Sequence, residues 1–99
     1  MDIMKREDVI KIISEHRDEI KRLGVKSLAF FGSVARNENR PDSDVDFIVD
    51  FESKPTFDGY TDLKSLLEKL LSCKIDLATR KSLKPRLRTR IEKEAVYVA

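Results

Sequence analysis

The sequence predicts an α/β fold in which helices flank a small β-sheet. Three observations carry that prediction. A helical apolar stripe lies near the N-terminus, a short aromatic-rich run ends in Gly32-Ser33, and the segment from Asp44 to Phe51 alternates strictly.

In the first segment Val9, Ile13, His16 and Ile20 follow i, i+4, i+7, i+11 spacing, widened by Ile12 and Leu23, so one amphipathic helix is expected there. Gly24 stands where a left-handed C-terminal cap belongs, and Lys21 and Arg22 suit the negative end of the helix dipole. Ser27 to Phe31 reads as a buried strand. A short helical turn is expected from Ser33 to Arg36, closed by a left-handed Asn37. The polar stretch Glu38 to Ser43, with Pro41, reads as a loop. On the next strand Asp44, Asp46, Ile48 and Asp50 share one face, and Val45, Phe47, Val49 and Phe51 the other. Pro55 and Gly59 bracket a loop. Tyr60 to Leu71 reads as a helix with Leu63, Leu66, Leu67, Leu70 and Leu71 on one side. Lys74 to Thr79 is a third strand, Ser82 to Glu94 a last helix with Pro85 in its first turn, and Tyr97-Val98 a terminal strand.

Ninety-nine residues make one domain, 1–99, with one modest core. The chain carries 20 basic and 18 acidic residues, so local fields matter more than the net charge of +2. Acidic residues gather at Asp42, Asp44, Asp46, Asp50 and Glu52, and basic ones at Arg80, Lys81, Lys84, Arg86, Arg88 and Arg90. A lone cysteine, Cys73, makes no internal disulfide and no Cys/His metal spacing, which points to a reducing, cytoplasmic compartment. No signal-like N-terminus and no membrane-length apolar run is seen. His16 and Cys73 read as packing residues, as do Tyr60 and Tyr97.

Chemistry concentrates between Phe31 and Val49. A strand that ends in Gly-Ser at a helical turn offers backbone N–H groups to an anion, Gly32 permits close approach, and the Ser33 hydroxyl adds a donor. Alone, this is also what an ordinary turn looks like. Asp44 and Asp46 lie on one face of a strand, about 7 Å apart at the backbone. Two carboxylates so placed repel unless a cation lies between them, and Mg²⁺ prefers carboxylate oxygens with substrate phosphates. The plainer alternative is a solvated strand end. Asp76, isolated between Ile75 and Leu77, either completes a three-carboxylate cluster able to bind two metals or is salt-bridged to Lys74 or Arg80.

Taken together, Gly32-Ser33, ten residues, and Asp44-x-Asp46, followed by an intra-strand aspartate, are far more specific than any one of them. The pattern GSx10DxD resembles the signature of the nucleotidyltransferase superfamily that includes DNA polymerase beta. The surrounding Ala35-Arg36 and Arg40-Pro41-Asp42-Ser43 look like the minimal nucleotidyltransferase (MNT) family, short prokaryotic proteins commonly paired with a HEPN-domain partner in toxin–antitoxin modules. One departure is Asn37, where many minimal members have glycine. Both residues adopt the left-handed cap.

The resemblance implies a polymerase beta-like fold with a small mixed sheet. It implies that Gly32 and Ser33 hold phosphate and that Asp44, Asp46 and Asp76 are catalytic and bind metal, with two Mg²⁺ ions and ATP as substrate. Arg36 is a further candidate for the nucleotide, or else a solvated helix-end arginine. The implied reaction is transfer of AMP to a hydroxyl, a tyrosine of a HEPN toxin, by an antitoxin within a hetero-oligomer. An alternative is a non-catalytic antitoxin or nucleotide sensor that neutralises its partner by covering it. A small-molecule or RNA nucleotidyltransferase is a third reading, but such enzymes usually carry a further domain to grip the acceptor.

The stretch Arg80 to Arg90 admits three roles: lying near the triphosphate, docking an acidic partner, or forming a solvated helix face over core-spaced Leu83, Leu87 and Ile91. Without interleaved aromatics or a known motif it argues against nucleic acid as the partner.

Overall fold

The computed structural model describes residues 5–38, 40, 44–52 and 57–99. The loop expected around Pro41, the acidic Asp42 and the proline bracket at Pro55 lie outside the described residues.

The N-terminal stripe folds as two helices, α1 (Arg6–Glu15) and α2 (Arg17–Arg22), not as the single helix that its periodicity predicts. His16 leaves helical geometry at φ −114°, ψ 20°, and its N–H turns to the Ile13 carbonyl at 3.0 Å. Its ring faces the solvent edge, where Nδ1 lies 3.0 Å from Glu19, so it is a surface partner rather than a core residue. The apolar stripe survives the break, because Val9, Ile13 and Ile20 are fully buried. Gly24 takes φ +87° after α2, the predicted left-handed cap.

Strand β1 (Val25–Phe31) begins two residues before its predicted start at Ser27. Strand β2 (Val45–Phe51) follows, then helix α3 (Phe57–Leu71) and strand β3 (Ile75–Thr79). Gly59 lies inside α3 and not in the loop it was expected to bracket. It falls in the first turn, where N–H groups have no intrahelical acceptor in any case. The last helix, α4 (Pro85–Glu94), starts three residues later than the Ser82 boundary predicts. A residue before proline avoids helical ψ, and Lys84 is extended at ψ 144°. Arg80–Ser82 form a separate 3₁₀ turn. Strand β4 (Val96–Tyr97) ends the chain's regular structure.

The sheet order is β3-β2-β1-β4. β1 is antiparallel to β2 and β4, whereas β2 and β3 run parallel, joined through α3. The sheet is thus mixed. One of its faces is packed with Leu28, Phe30, Val45, Phe47, Val49, Ile75 and Leu77, against Val9 and Ile13 of α1, Ile20 of α2, and Leu63, Leu67 and Leu71 of α3. Phe30 and Phe47 meet tilted, ring centres 6.2 Å apart. The Tyr60 hydroxyl donates to the Leu77 carbonyl and ties α3 to β3. Cys73 packs at the core margin, and burial pushes its thiol up from the ordinary value.

Helix α4 behaves otherwise. None of its residues is buried, and Leu87 of the core-spaced set is 47% exposed. Tyr97, expected to pack, is 57% exposed. Polar ties hold α4 in place: Glu92 to Arg80 at 2.8 Å, and Glu94 to Arg36 at 3.0 Å.

Candidate active site

The site lies where β1 ends and β2 and β3 begin. Gly32 follows β1 at φ +77°, and a Cβ there would meet Oδ2 of Asp46 at 2.5 Å. Both the backbone conformation and the space require glycine. The chain then makes one helical turn. The Arg36 N–H donates to the Gly32 carbonyl (3.2 Å), Asn37 to Val34 (3.1 Å) and Glu38 to Ser33 (2.8 Å). The last two bonds, with Asn37 at φ +57°, form a Schellman closure, so the left-handed asparagine predicted from sequence is present.

Strand register delivers the carboxylates. Asp46 pairs with Phe31 on one side and with Asp76 on the other. Residues paired across a ladder point to the same face, so Asp76 shares the face of Asp46. Asp44 stands one residue before β2, on the same side of the pleat. The Val45 N–H bonds the Lys74 carbonyl at 3.1 Å, which locks the two strand starts side by side. Neither Lys74 nor Arg80 forms an ion pair with Asp76 among the described residues; Arg80 turns instead to Glu92 and Asp50. Beside Asp44 and Asp76 opens a cleft of about 420 Å³, lined also by Lys64, Glu68, Lys74 and Ile75.

Electrostatics mark Asp46 as the focus. Burial, reinforced by the charges of Asp76 and Asp44, pushes its carboxyl up to about 6. Among the described residues no three ligating side chains already form a cage for one ion. The expected cluster is present as a shared field, not as a closed ligand set. Mg²⁺ does not need a cage, because one or two carboxylates and substrate phosphates suffice. The donor set therefore fits a divalent ion that arrives with a nucleotide.

Two sequence expectations are modified here. The Gly32 N–H does not point freely outward; it donates to Oε1 of Glu94 at 3.1 Å. Arg36 does lie at the turn, but its Nε binds Glu38 at 2.9 Å and its Nη1 binds both oxygens of Glu94, at 3.2 and 3.0 Å. These acids, Glu38 first, raise the guanidinium above its ordinary value. Glu94 went unnoticed in the sequence. It is 62 residues from Gly32, and nothing in its local context marks it.

A mixed sheet with this order, displaying a Gly-Ser turn against a row of aspartates, defines a nucleotidyltransferase of the polymerase beta-like fold. The profile of the nucleotidyltransferase domain family matches residues 13–98. The protein adenylyltransferase MntA of Thermococcus cleftensis is 37% identical over 99% of this chain and 100% of its own length. A solved structure provisionally named minimal nucleotidyltransferase superposes with TM-score 0.84 at 36% identity, covering 94% of this chain and 95% of that one. The tri-AMPylated Shewanella oneidensis HEPN toxin in complex with MNT antitoxin gives TM-score 0.65 at 14% identity, over 91% of this chain and 71% of that one, and shares the fold. The chain belongs to the nucleotidyltransferase domain family, among its minimal members. No helix among the described residues is long and apolar enough to cross a membrane.

Proposed function

We propose that this protein transfers AMP from ATP to a tyrosine hydroxyl of a HEPN-domain toxin and so acts as its antitoxin. The observation that carries the reading is the row formed by Asp46 and Asp76 in ladder register, with Asp44 adjacent, against a glycine that leaves room for nothing else. The names of the relatives point the same way. The Thermococcus protein is a protein adenylyltransferase, and the Shewanella toxin is AMPylated and bound to an MNT antitoxin.

In this mechanism Ser33 and the turn receive the terminal phosphates. Asp44 and Asp46 would hold Mg²⁺, with Asp76 contributing to a second ion, and the ions would supply charge neutralisation at the phosphates and a lowered acceptor pKa. The acceptor oxygen attacks the α-phosphorus, the bond to the β-phosphate bridging oxygen breaks, and pyrophosphate leaves. Asp76, facing the open cleft, takes the acceptor proton. The protein's share is positioning and charge placement.

The test is mass spectrometry of a HEPN-domain partner incubated with this protein, ATP and Mg²⁺. Adenylate increments on tyrosine that vanish with Asp46→Asn support the reading. An unmodified partner that is nevertheless neutralised, equally well by Asp46→Asn, overturns it in favour of steric inhibition.

A further inference from the structure

Glu94 closes α4 and has no part in the chemistry set out above. Its carboxylate accepts from the Gly32 N–H at 3.1 Å and from Arg36 Nη1 at 3.2 and 3.0 Å. Both donors belong to the turn between β1 and β2, some 60 residues away in the chain. On its other side the same turn meets Asp46, close enough that a Cβ on Gly32 would stand 2.5 Å from Oδ2. The turn thus lies between two carboxylates, bonded by Glu94 and packed against Asp46. Since α4 has no buried residue, the Glu94 bonds constrain the turn and the helix end together.

The β-ladder explains the geometry. Phe30 pairs with Val96, so the chain direction brings Glu94 level with Gly32, two residues past the last ladder pair. Beyond that pair the Gly32 N–H has no β4 partner, and the Glu94 side chain accepts its hydrogen bond instead. The carboxylate in that position also binds Arg36.

We propose that Glu94 is a positioning residue for nucleotide: by bonding Gly32 and Arg36 it sets the turn at the distance from Asp46 that the triphosphate and its metal require. This rests on the adenylyl-transfer reading. In this role Glu94 acts through the turn, by its bonds to Gly32 and Arg36.

The experiment compares the full chain with Glu94→Gln, Glu94→Ala and, as a surface control, Lys93→Ala. The readouts are the calorimetric Kd for Mg²⁺–ATP, kcat for transfer to the HEPN partner, and amide exchange at Gly32. Glu94→Ala, which removes the bonds to both Gly32 and Arg36, should weaken ATP binding about tenfold and speed Gly32 exchange. Glu94→Gln, which still accepts from the Gly32 N–H, should recover most of the affinity. If Glu94→Ala does not fold, the Gln variant alone decides, with an expected loss of about threefold. Faster Gly32 exchange with unchanged or tighter ATP binding overturns the positioning role while the contact itself stands. A wild-type chain that binds ATP but never transfers AMP overturns the function above, whereas one that binds no ATP overturns both.

Discussion

The aspartate row beside β2 and the helix α4 both crowd like charges together, but under opposite conditions. Asp44, Asp46 and Asp76 are fixed by strand register, and Asp46 is partly withdrawn from water, so its carboxyl rises to about 6. On α4, Arg86 and Arg90 are exposed on a helix with no buried residue. Long side chains in water separate and are screened; short ones on a rigid ladder cannot. Crowded charge marks a ligand site only where the backbone prevents relaxation. By that measure the acidic cluster is the candidate site, and Arg86 and Arg90 read as a solvated face.

The comparison breaks most readily at Asp46. Asp46→Asn should lower AMP transfer by about 10³-fold, measured as initial rate of adenylate incorporation, whereas Arg90→Ala should leave it unchanged. A comparable loss from Arg90→Ala would move the basic helix into the site.

Gly32→Val comes next. It adds a strained positive φ to a collision with Asp46 and should destabilise the fold by about 2–3 kcal/mol, read by urea denaturation. Gly24→Val is the matched control, having positive φ with nothing within 4 Å of the new Cβ, and should cost about 1–2 kcal/mol. Equal costs would show that the Asp46 contact is dispensable.

A smaller effect of opposite sign is expected without metal. The folded carboxyl of Asp46 is raised, so the native state holds its proton more tightly than the unfolded chain does. Stability should therefore fall as pH rises from about 4 to about 6 and stay low above that. Asp46→Asn should stabilise the metal-free protein at pH 7.5 by about 1–2 kcal/mol and do nothing below about pH 4. Thermal melts across that range check it. The smallest effect is at Arg86→Ala, where Tm at neutral pH should change by less than about 0.5 kcal/mol equivalent.

What the sequence made legible follows the same division. Gly32, Asn37 and the alternation of β2 are local constraints, set by backbone sterics and a period of two, and each was readable. The common face of Asp46 and Asp76 depended on register between strands 30 residues apart; the sequence left both registers open. The break at His16 was hidden because the apolar stripe continues through it. The start of α4 was readable from Pro85 alone, yet the apolar spacing of Leu83, Leu87 and Ile91 suggested a longer, buried helix. Periodicity reports which residues share a face and not whether anything covers that face. Glu94 was out of reach because its contacts span some 60 residues.

The most direct test of the central claim is Mg²⁺–ATP-dependent thermal stabilisation of this chain and of its Asp44→Asn/Asp46→Asn variant. A ligand that binds only the folded state raises Tm by mass action. The account predicts a rise that requires Mg²⁺ in the wild type and disappears in the folded variant. An equal rise in both proteins, or none in the wild type, would contradict it.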